Sequence, residues 1–185
     1  MSEATYISWA LGRLNVPFPV VKKARSGDRS AVFEIVSGDA RWFLKIGGDL
    51  APECDRLQWL QGRLPAPEVV VLGPVGDQEA LLMSAVPGTN LAVLAKRLSP
   101  DEIVEMLACA LRAFHSVNPN NCPFKAYLPG GTLVHGDACL PNFMCQDDGT
   151  VNGYIDLGEM GVGDTTLAPL AELLPRSSTH LPSCP

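Results

Sequence analysis

The sequence predicts an α+β protein with a β-rich first half and a second half built from a helix and a hairpin. Apolar segments of strand length, separated by turn residues, fill much of the chain before residue 86. A Pro-Gly-Thr-Asn break at 87–90 then precedes a long amphipathic helix. We therefore expect two parts, residues 1–86 and 91–185, with a hinge at 84–90.

The elements of the first half follow from hydrophobic period and turn residues. Leu44 and Ile46 alternate with Phe43 and Lys45, which is typical of a strand with one face buried. The expected elements are two strands that flank a turn at 37–39, a helix, and two strands that flank a turn at 73–77: Ala31–Val36, Ala40–Ile46, Ala51–Leu64, Glu68–Leu72 and Glu79–Val86.

The second half begins with a strong helix start. Ser99-Pro100-Asp101-Glu102 supplies a Ser cap, Pro at the first position and Glu three residues after the cap. Apolar residues then recur at helical spacing to Phe114. Residues 116–132 are turn-rich, strands are expected at Phe143–Cys145 and Val151–Ile155, and the leucines at 167–174 favour one more helix.

Composition excludes several classes of protein. The 185 residues are 46% hydrophobic and carry a net charge of −6, which argues against disorder and against nucleic-acid binding. No apolar run approaches the ~18 residues of a membrane span, and the N-terminus lacks the features of a signal peptide. We expect a cytoplasmic protein whose six scattered cysteines are free thiols.

Glu53 is the first candidate functional residue. It lies on the same predicted helical stripe as Leu57 and Leu60, and a buried carboxylate is costly unless it is paired. Lys45, at the end of the preceding strand, is the obvious partner. The alternative is a solvated acid that favours a helix N-terminus.

A second group of polar residues surrounds the predicted hairpin. If Gln146 pairs with Val151 across the turn, Asn142 faces Ile155 and lies beside Asp156. An amide oxygen next to a carboxylate suits Mg²⁺, and Asp137 could reach the same site as a base. Each of these residues also has a structural explanation as a turn former or strand-end residue.

A zinc site is the other metal hypothesis for this segment. His135, Cys139 and Cys145 are soft ligands, but their spacing matches no standard zinc pattern. Oxygen ligands and Mg²⁺ are therefore favoured.

The motifs LVHGDACLPNFM at 133–144 and GYIDLGEMGVGD at 153–164 resemble the aminoglycoside phosphotransferase family. FLKI at 43–46, ECDRLQWL at 53–60 and LLMSAVPG at 81–88 support the resemblance. It implies a protein-kinase-like two-lobe fold with a β-rich N-lobe and a shortened helical C-lobe. Within the family, the NFM sequence and the upstream Asn-Cys-Pro-Phe are most similar to the streptomycin 3″-kinase branch.

The resemblance implies an ATP site in the first lobe. Lys45 would bind the α- and β-phosphates, and Glu53 would orient Lys45. The backbone of the hinge from Ser84 to Val86 would bind adenine.

The resemblance also implies the chemistry of the second lobe, which is transfer of a phosphoryl group to a hydroxyl of an aminoglycoside. Asp137 would be the catalytic base, Asn142 and Asp156 would hold Mg²⁺, and His135 would brace the catalytic loop. An acidic protein suits a polycationic sugar.

Three departures from the family pattern are visible. Asp28 stands where the nucleotide loop often has Ser, only Lys125–Val134 connects the Cys-Pro-Phe segment to His135, and the chain ends soon after Asp164. We therefore expect a nucleotide half attached to a shortened substrate half. The alternatives are an inactive remnant that at most binds nucleotide, and a related kinase that acts on another alcohol, such as a macrolide or choline.

Overall fold

The computed structural model describes residues 2–24 and 30–165. Within them the chain forms two compact units. The first contains the residues up to 58 together with Pro67–Ala85, and the second contains Trp59–Ala66 together with the residues from 86 onward. The expectations for Asp28 and for a helix at 167–174 lie outside the described residues.

The first unit is a five-stranded antiparallel sheet with two helices. Its strand order is β1-β2-β3-β5-β4. Its elements are α1 (Glu3–Leu14), β1 (Val20–Lys23), β2 (Ala31–Ser37), β3 (Ala40–Gly47), α2 (Ala51–Leu60), β4 (Val69–Val75) and β5 (Gln78–Ser84).

The core of this unit lies where the predicted alternation places it. Leu44 and Ile46 of β3 are buried beside residues of β2 and β5, and Tyr6 and Ala10 of α1 complete the same cluster. The helix α1 was not predicted from the sequence. It ends before Asn15, which adopts a left-handed φ of 48°. The sheet therefore has a helix-covered face from which β3 projects its apolar side chains.

Several predicted boundaries in the first unit are wrong, and one of them is the end of β5, which lies at Ser84 instead of Val86. The helix α2 ends at Leu60 instead of Leu64, because Gly62 adopts a φ of 74° and Pro65 follows. The turn between β4 and β5 is also shorter than predicted, since Gly73 and Pro74 belong to β4. Pro74 is tolerated because β4 is an edge strand of the sheet.

The second unit combines a long helix with two small sheets. In one sheet β7 pairs with β10, and in the other β8 lies between β6 and β9. Its elements are β6 (Thr89–Asn90), α3 (Leu91–Leu94), α4 (Pro100–His115), β7 (Thr132–Val134), a 3₁₀ turn (Leu140–Asn142), β8 (Phe143–Cys145), β9 (Val151–Tyr154) and β10 (Gly161–Gly163).

The helix α4 confirms its sequence signature. The Ser99 hydroxyl accepts the backbone N–H of Glu102, and the Glu102 side chain accepts the backbone N–H of Ser99, which is a complete capping box. The apolar face of α4 is buried to its last turn, where Phe114 is fully enclosed. The long helix thus forms one wall of the unit that carries the HGD motif.

The short connection before β7 is ordered against β10. Val162 donates to the Phe124 carbonyl at 2.9 Å, Ala126 donates to Val162 at 3.0 Å, and Asp164 donates to Leu128 at 3.2 Å. A Cβ on Gly130 would lie 2.1 Å from the carbonyl oxygen of Gly163, so only glycine fits there. The connection that the sequence shows to be short therefore pairs along one edge of β10, while β7 pairs along the other.

None of the helices in the described ranges is both long enough and apolar enough to cross a membrane.

Candidate active site

Lys45 and Glu53 form a buried ion pair in the first unit. The ammonium Nζ of Lys45 lies 2.7 Å from Oε2 of Glu53, and the two side chains are only 16% and 7% exposed. Lys45 lies near the end of β3, and Glu53 lies in the first turn of α2. The predicted pairing of these two residues is therefore confirmed as a contact, at a depth where neither charge is well solvated.

The HGD motif forms a tight loop after β7 in the second unit. Asp137 is exposed, whereas Asn142 is only 5% exposed. The Nδ2 group of Asn142 donates to the backbone oxygen of Asp137 at 3.0 Å and to its carboxylate Oδ2 at 3.2 Å. A buried amide thus holds an accessible carboxylate, which is the arrangement that a fixed general base needs.

His135 ties this loop to the segment that carries Asp156. Its Nε2 lies 3.1 Å from the carbonyl oxygen of Ile155, and its Nδ1 accepts the backbone N–H of Asp137 at 3.4 Å. Both bonds are satisfied by the neutral imidazole with its proton on Nε2. The His135 side chain therefore links Ile155, which precedes the candidate ligand Asp156, to the candidate base Asp137.

The surroundings of His135 favour that neutral form. The ring is 1% exposed and packs against Phe114 and Phe143, with ring centroids 5.5 and 5.6 Å away. Burial lowers the pKa of His135, and the nearby carboxylates of Asp137 and Asp156 oppose the shift without reversing it. The imidazole acts here as an uncharged link between backbone groups.

Gly136 is required by the geometry of the loop. Its φ is 85°, and a Cβ at this position would lie 2.2 Å from the carbonyl oxygen of Glu159. No side chain fits, so the loop can approach the segment before β10 only through glycine. The sequence marks this position as the Gly of HGD, but it does not show which backbone the glycine touches.

The hairpin places Asp156 beside Asn142 in the backbone, as the register predicts. Phe143 pairs with Tyr154, and the N–H of Ile155 donates to the carbonyl of Asn142 at 3.0 Å. Asp156 itself has a φ of 57°, a left-handed conformation that Asp tolerates better than most residues. Such backbone strain is concentrated at functional sites, where the surrounding structure holds it in place.

One assumption behind that register is wrong. Val151 pairs with Cys145, not with Gln146, and a bulge in β9 leaves Asn152 as the extra residue. The Asn152 side chain is used to hold this region, since it accepts from Gln146 and donates to the Pro87 carbonyl. The bulge restores the predicted pairing at the end of the hairpin that carries the candidate ligands.

Two of the three backbone N–H groups in the predicted hinge segment from Ser84 to Val86 donate within the first unit. The N–H of Ser84 donates to Glu68 at 2.9 Å, and the N–H of Ala85 donates to Arg41 at 3.0 Å. The Ser84 hydroxyl accepts the N–H of Glu68 at 2.9 Å. Ser84 is thus built into the sheet, and Val86, which is buried, begins the second unit.

The zinc hypothesis does not fit the geometry. Both ring nitrogens of His135 are engaged, and burial raises the pKa of the Cys145 thiol to about 11, which disfavours the thiolate that zinc needs. The pKa of Cys139 is raised as well, first by burial and then by Asp137. Across residues 2–24 and 30–165, no three His, Cys, Asp or Glu side chains are grouped to hold a metal ion.

A family model identifies the same two motif regions. The model of the phosphotransferase enzyme family (APH) matches residues 20–132 and 126–167, so it covers most of the chain. The two matches meet within 126–132, which lies in the short connection that packs along β10. The break in the match agrees with the departure seen in the sequence between the Cys-Pro-Phe segment and His135.

Curated relatives carry one enzyme name. The chain is 26% identical to an aminoglycoside 3′-phosphotransferase of Enterococcus faecalis over 85% of this chain and 80% of that protein. It is 27% identical to an aminoglycoside 3′-phosphotransferase of Escherichia coli over 64% of this chain and 60% of that protein. A Staphylococcus aureus enzyme with the same name is 35% identical over 54% of this chain, and the match spans 38% of that enzyme.

Solved structures share the fold. The aminoglycoside phosphotransferase APH(3″)-Id of Streptomyces rimosus has a TM-score of 0.68 at 24% identity, over 89% of this chain and 80% of that one. The aminoglycoside phosphotransferase APH(4)-Ia has a TM-score of 0.72 at 14% identity, over 89% of this chain and 74% of that one. These similarities confirm the expected α+β, kinase-like architecture. Taken with the match over residues 20–167, they show that this chain belongs to the phosphotransferase enzyme family.

Proposed function

We propose that this protein transfers the γ-phosphoryl group of ATP to a hydroxyl of an aminoglycoside. The observation that carries the proposal is the HGD loop, in which an exposed Asp137 carboxylate is held by the buried amide of Asn142. Phosphoryl transfer needs positioned groups and charge neutralisation more than covalent catalysis. A fixed carboxylate that remains accessible suits the first of these needs.

In the proposed reaction Asp137 accepts the proton of the acceptor hydroxyl. The hydroxyl oxygen forms a bond to the γ-phosphorus, the bond from that phosphorus to the β,γ-bridging oxygen breaks, and ADP leaves. His135 contributes by holding the backbone of Asp137 through the bond to its N–H. Because His135 is neutral and buried, it leaves the proton-accepting role to the carboxylate.

Lys45 and Glu53 are proposed to bind the nucleotide phosphates. The Lys45 side chain is partly exposed, at 16%, and Glu53 lies 2.7 Å from its ammonium group, which fixes the position of a cation that the phosphates would contact. At the hinge, the N–H groups of Ser84 and Ala85 already donate within the sheet. We therefore assign the adenine-binding donor of this segment to Val86.

The residues present fit a magnesium ion. The amide nitrogen of Asn142 is engaged with Asp137, so the atom that this side chain offers to a cation is its oxygen. Together with the Asp156 carboxylate this gives two hard oxygen ligands, and Mg²⁺ commonly takes its remaining ligands from phosphates and water. When bound, the ion would neutralise phosphate charge as the transfer proceeds.

The substrate class is proposed from the relatives and from charge. The curated relatives are named as aminoglycoside 3′-phosphotransferases, and the APH(3″)-Id structure has been solved with ADP and streptomycin. A net charge of −6 suits a cationic sugar. The sequence similarity to the streptomycin branch and the names of the relatives favour different hydroxyls, which the position of the phosphate on the product distinguishes.

A second candidate function is nucleotide binding without transfer. It is favoured by the division of the family match into two segments that overlap at 126–132, where the connection to the catalytic loop is short. In that case the Lys45–Glu53 site is used and no acceptor is phosphorylated.

The experiment is a phosphotransfer assay with ATP, Mg²⁺ and a panel that includes streptomycin and hygromycin B, with products analysed by mass spectrometry. Asp137→Ala should lower turnover by roughly 10²- to 10⁴-fold and leave ATP affinity by calorimetry nearly unchanged. Asp77→Asn, an exposed turn substitution in the first unit, is the control. ATP binding without any phosphorylated product would favour the second function, and loss of ATP binding in Asp137→Ala would refute the assigned role.

A further inference from the structure

The helix α2 begins without a capping side chain of its own. Its first residue is Ala51, and the residue before it is Leu50, whose apolar side chain is buried. The first backbone N–H groups of a helix have no partner within the helix and are commonly satisfied by a polar side chain at the cap position. Leu50 cannot serve in this way, so these N–H groups need an acceptor from elsewhere in the fold.

Glu79 of β5 supplies that acceptor. Its Oε2 lies 2.6 Å from the backbone nitrogen of Leu50 and 3.1 Å from that of Ala51. The side chain is partly buried, and its negative charge faces the positive end of the helix dipole. A residue 28 positions further along the chain therefore performs the role of a local N-cap.

The cap and the ion pair join the same two elements. In the sheet register Glu79 lies opposite Gly47, two residues beyond Lys45 on β3. On the helix, Glu53 lies two residues beyond Ala51 in the first turn. The sheet thus contacts the start of α2 at two points, once through the Glu79 carboxylate and once through the Lys45 ammonium group.

The pKa of a neighbouring thiol, Cys54, supports this arrangement. The pKa of Cys54 is raised first by burial and then by Asp55, Glu79 and Glu53. The carboxylates of Glu79 and Glu53 therefore act on the same buried point at the start of the helix. Two acids from different elements converge there, and each has its own hydrogen-bonding partner.

We propose that Glu79 is a positioning residue for nucleotide binding, which acts by fixing the first turn of α2 so that Glu53 remains on Lys45. The inference rests on the proposed role of Lys45 and Glu53 in binding ATP. A single ion pair fixes one point of a helix and permits rotation about it. The second attachment at Leu50 and Ala51 removes that freedom and prepares Lys45 for its ligand.

The test is a double-mutant cycle on ATP affinity measured by calorimetry with the full chain. Glu79→Ala should weaken ATP binding about five- to tenfold, whereas Glu79→Gln, which keeps an acceptor oxygen, should retain most of the affinity. In a Glu53→Gln background the same Glu79→Ala change should have almost no further effect. Gln58→Ala, which alters an exposed residue of the same helix, is the matched control and should leave affinity unchanged.

If Glu79→Ala lowers ATP affinity equally in both backgrounds, Glu79 acts independently of Glu53 and the inference is wrong. An unchanged ATP affinity in the parent background would also overturn it. If Glu79→Ala does not fold by circular dichroism, Glu79→Asp takes its place in the cycle, because the shorter carboxylate cannot reach both N–H groups. The nucleotide site is tested separately with Lys45→Met. Unchanged ATP affinity in Lys45→Met and Glu53→Gln would refute the proposed site itself, whereas a loss there with additive Glu79 effects refutes only the positioning role.

Discussion

The Lys45–Glu53 pair joins two residues whose burial is hard to explain by stability alone. Removing a charge from water costs several kcal/mol, and apolar residues of similar size commonly replace a buried pair without loss. Its retention at 2.7 Å within a mostly buried environment is therefore consistent with a role in ligand binding. Stability and binding can be separated experimentally, because they respond differently to single and double replacement.

Lys45→Met alone should destabilise the protein by on the order of 3 kcal/mol, because it leaves the Glu53 carboxylate buried without its partner. Adding Glu53→Leu should recover most of that loss. Urea unfolding measures the stability, and calorimetry should show weakened ATP binding in both variants. Recovery of ATP affinity in the double variant would contradict the proposed role of the pair.

The buried His135 predicts a specific pH dependence of stability. Burial holds its pKa below the ordinary value, so the folded protein keeps the ring neutral while the unfolded chain protonates it below about pH 6.5. The unfolded state then binds more protons, and the free energy of unfolding falls as pH falls, by at most about 1.4 kcal/mol per pH unit.

Urea titrations between about pH 5 and pH 7 measure this slope. His135→Gln should flatten it, whatever its effect on the absolute stability. His115 also has a pKa that is lowered by burial, and it lies in the last turn of α4. It remains in His135→Gln, so the part of the slope that persists in this variant includes the contribution of His115. A slope that is unchanged in His135→Gln would show that folding does not lower the pKa of this ring.

Among the elements, the loop at Gly136 depends on close contact between backbones. Gly136→Ala should destabilise the protein by more than about 2 kcal/mol and abolish phosphotransfer, because the new methyl group would overlap the Glu159 carbonyl. Gly38→Ala is the matched control, since Gly38 also has a positive φ, of 58°, but nothing lies within 4 Å of the added carbon. Gly38→Ala should cost about 1 kcal/mol in thermal or urea unfolding. Similar losses in the two variants would mean that φ, not close contact, sets the requirement.

The elements also show what the sequence can predict. Local signals suffice for α4 and for the hairpin of β2 and β3, because caps, turn residues and hydrophobic period are all local. They also place Lys45 against Glu53, because burial requires a partner. After the HGD loop, the spacing of the two motifs correctly places Asn142 opposite Ile155 in the hairpin.

Contacts between distant segments are where sequence reasoning fails. The bulge at Asn152 depends on an interaction with Pro87, and the cap of α2 depends on Glu79. The turn at Gly73 was predicted from composition, whereas the residue lies in β4, where a Cβ would come within 3.1 Å of Trp9. Each of these features is decided by a partner that the local sequence does not reveal.

For the whole molecule, net charge distinguishes the two proposed ligands. An acidic protein attracts a cationic aminoglycoside and repels the ATP anion at long range, and both effects are screened by salt. Raising NaCl from about 50 to about 500 mM should raise the KM for the aminoglycoside several-fold, while the KM for ATP changes little or falls. Steady-state kinetics with potassium chloride as a second salt checks that the effect is one of ionic strength. An aminoglycoside KM that does not depend on salt would place recognition on uncharged contacts.

The ladder along β10 has a consequence for protein engineering. Residues 124–128 and β7 both hydrogen-bond to β10, from opposite sides, so the two ends of the connection at 129–131 are held independently of its length. Gly131 is exposed, and nothing lies within 4 Å of its added carbon. Loop closure costs only about 0.6 kcal/mol for each doubling of length. The point between Gly131 and Thr132 should therefore tolerate the insertion of a foreign helical segment better than the rest of the connection does.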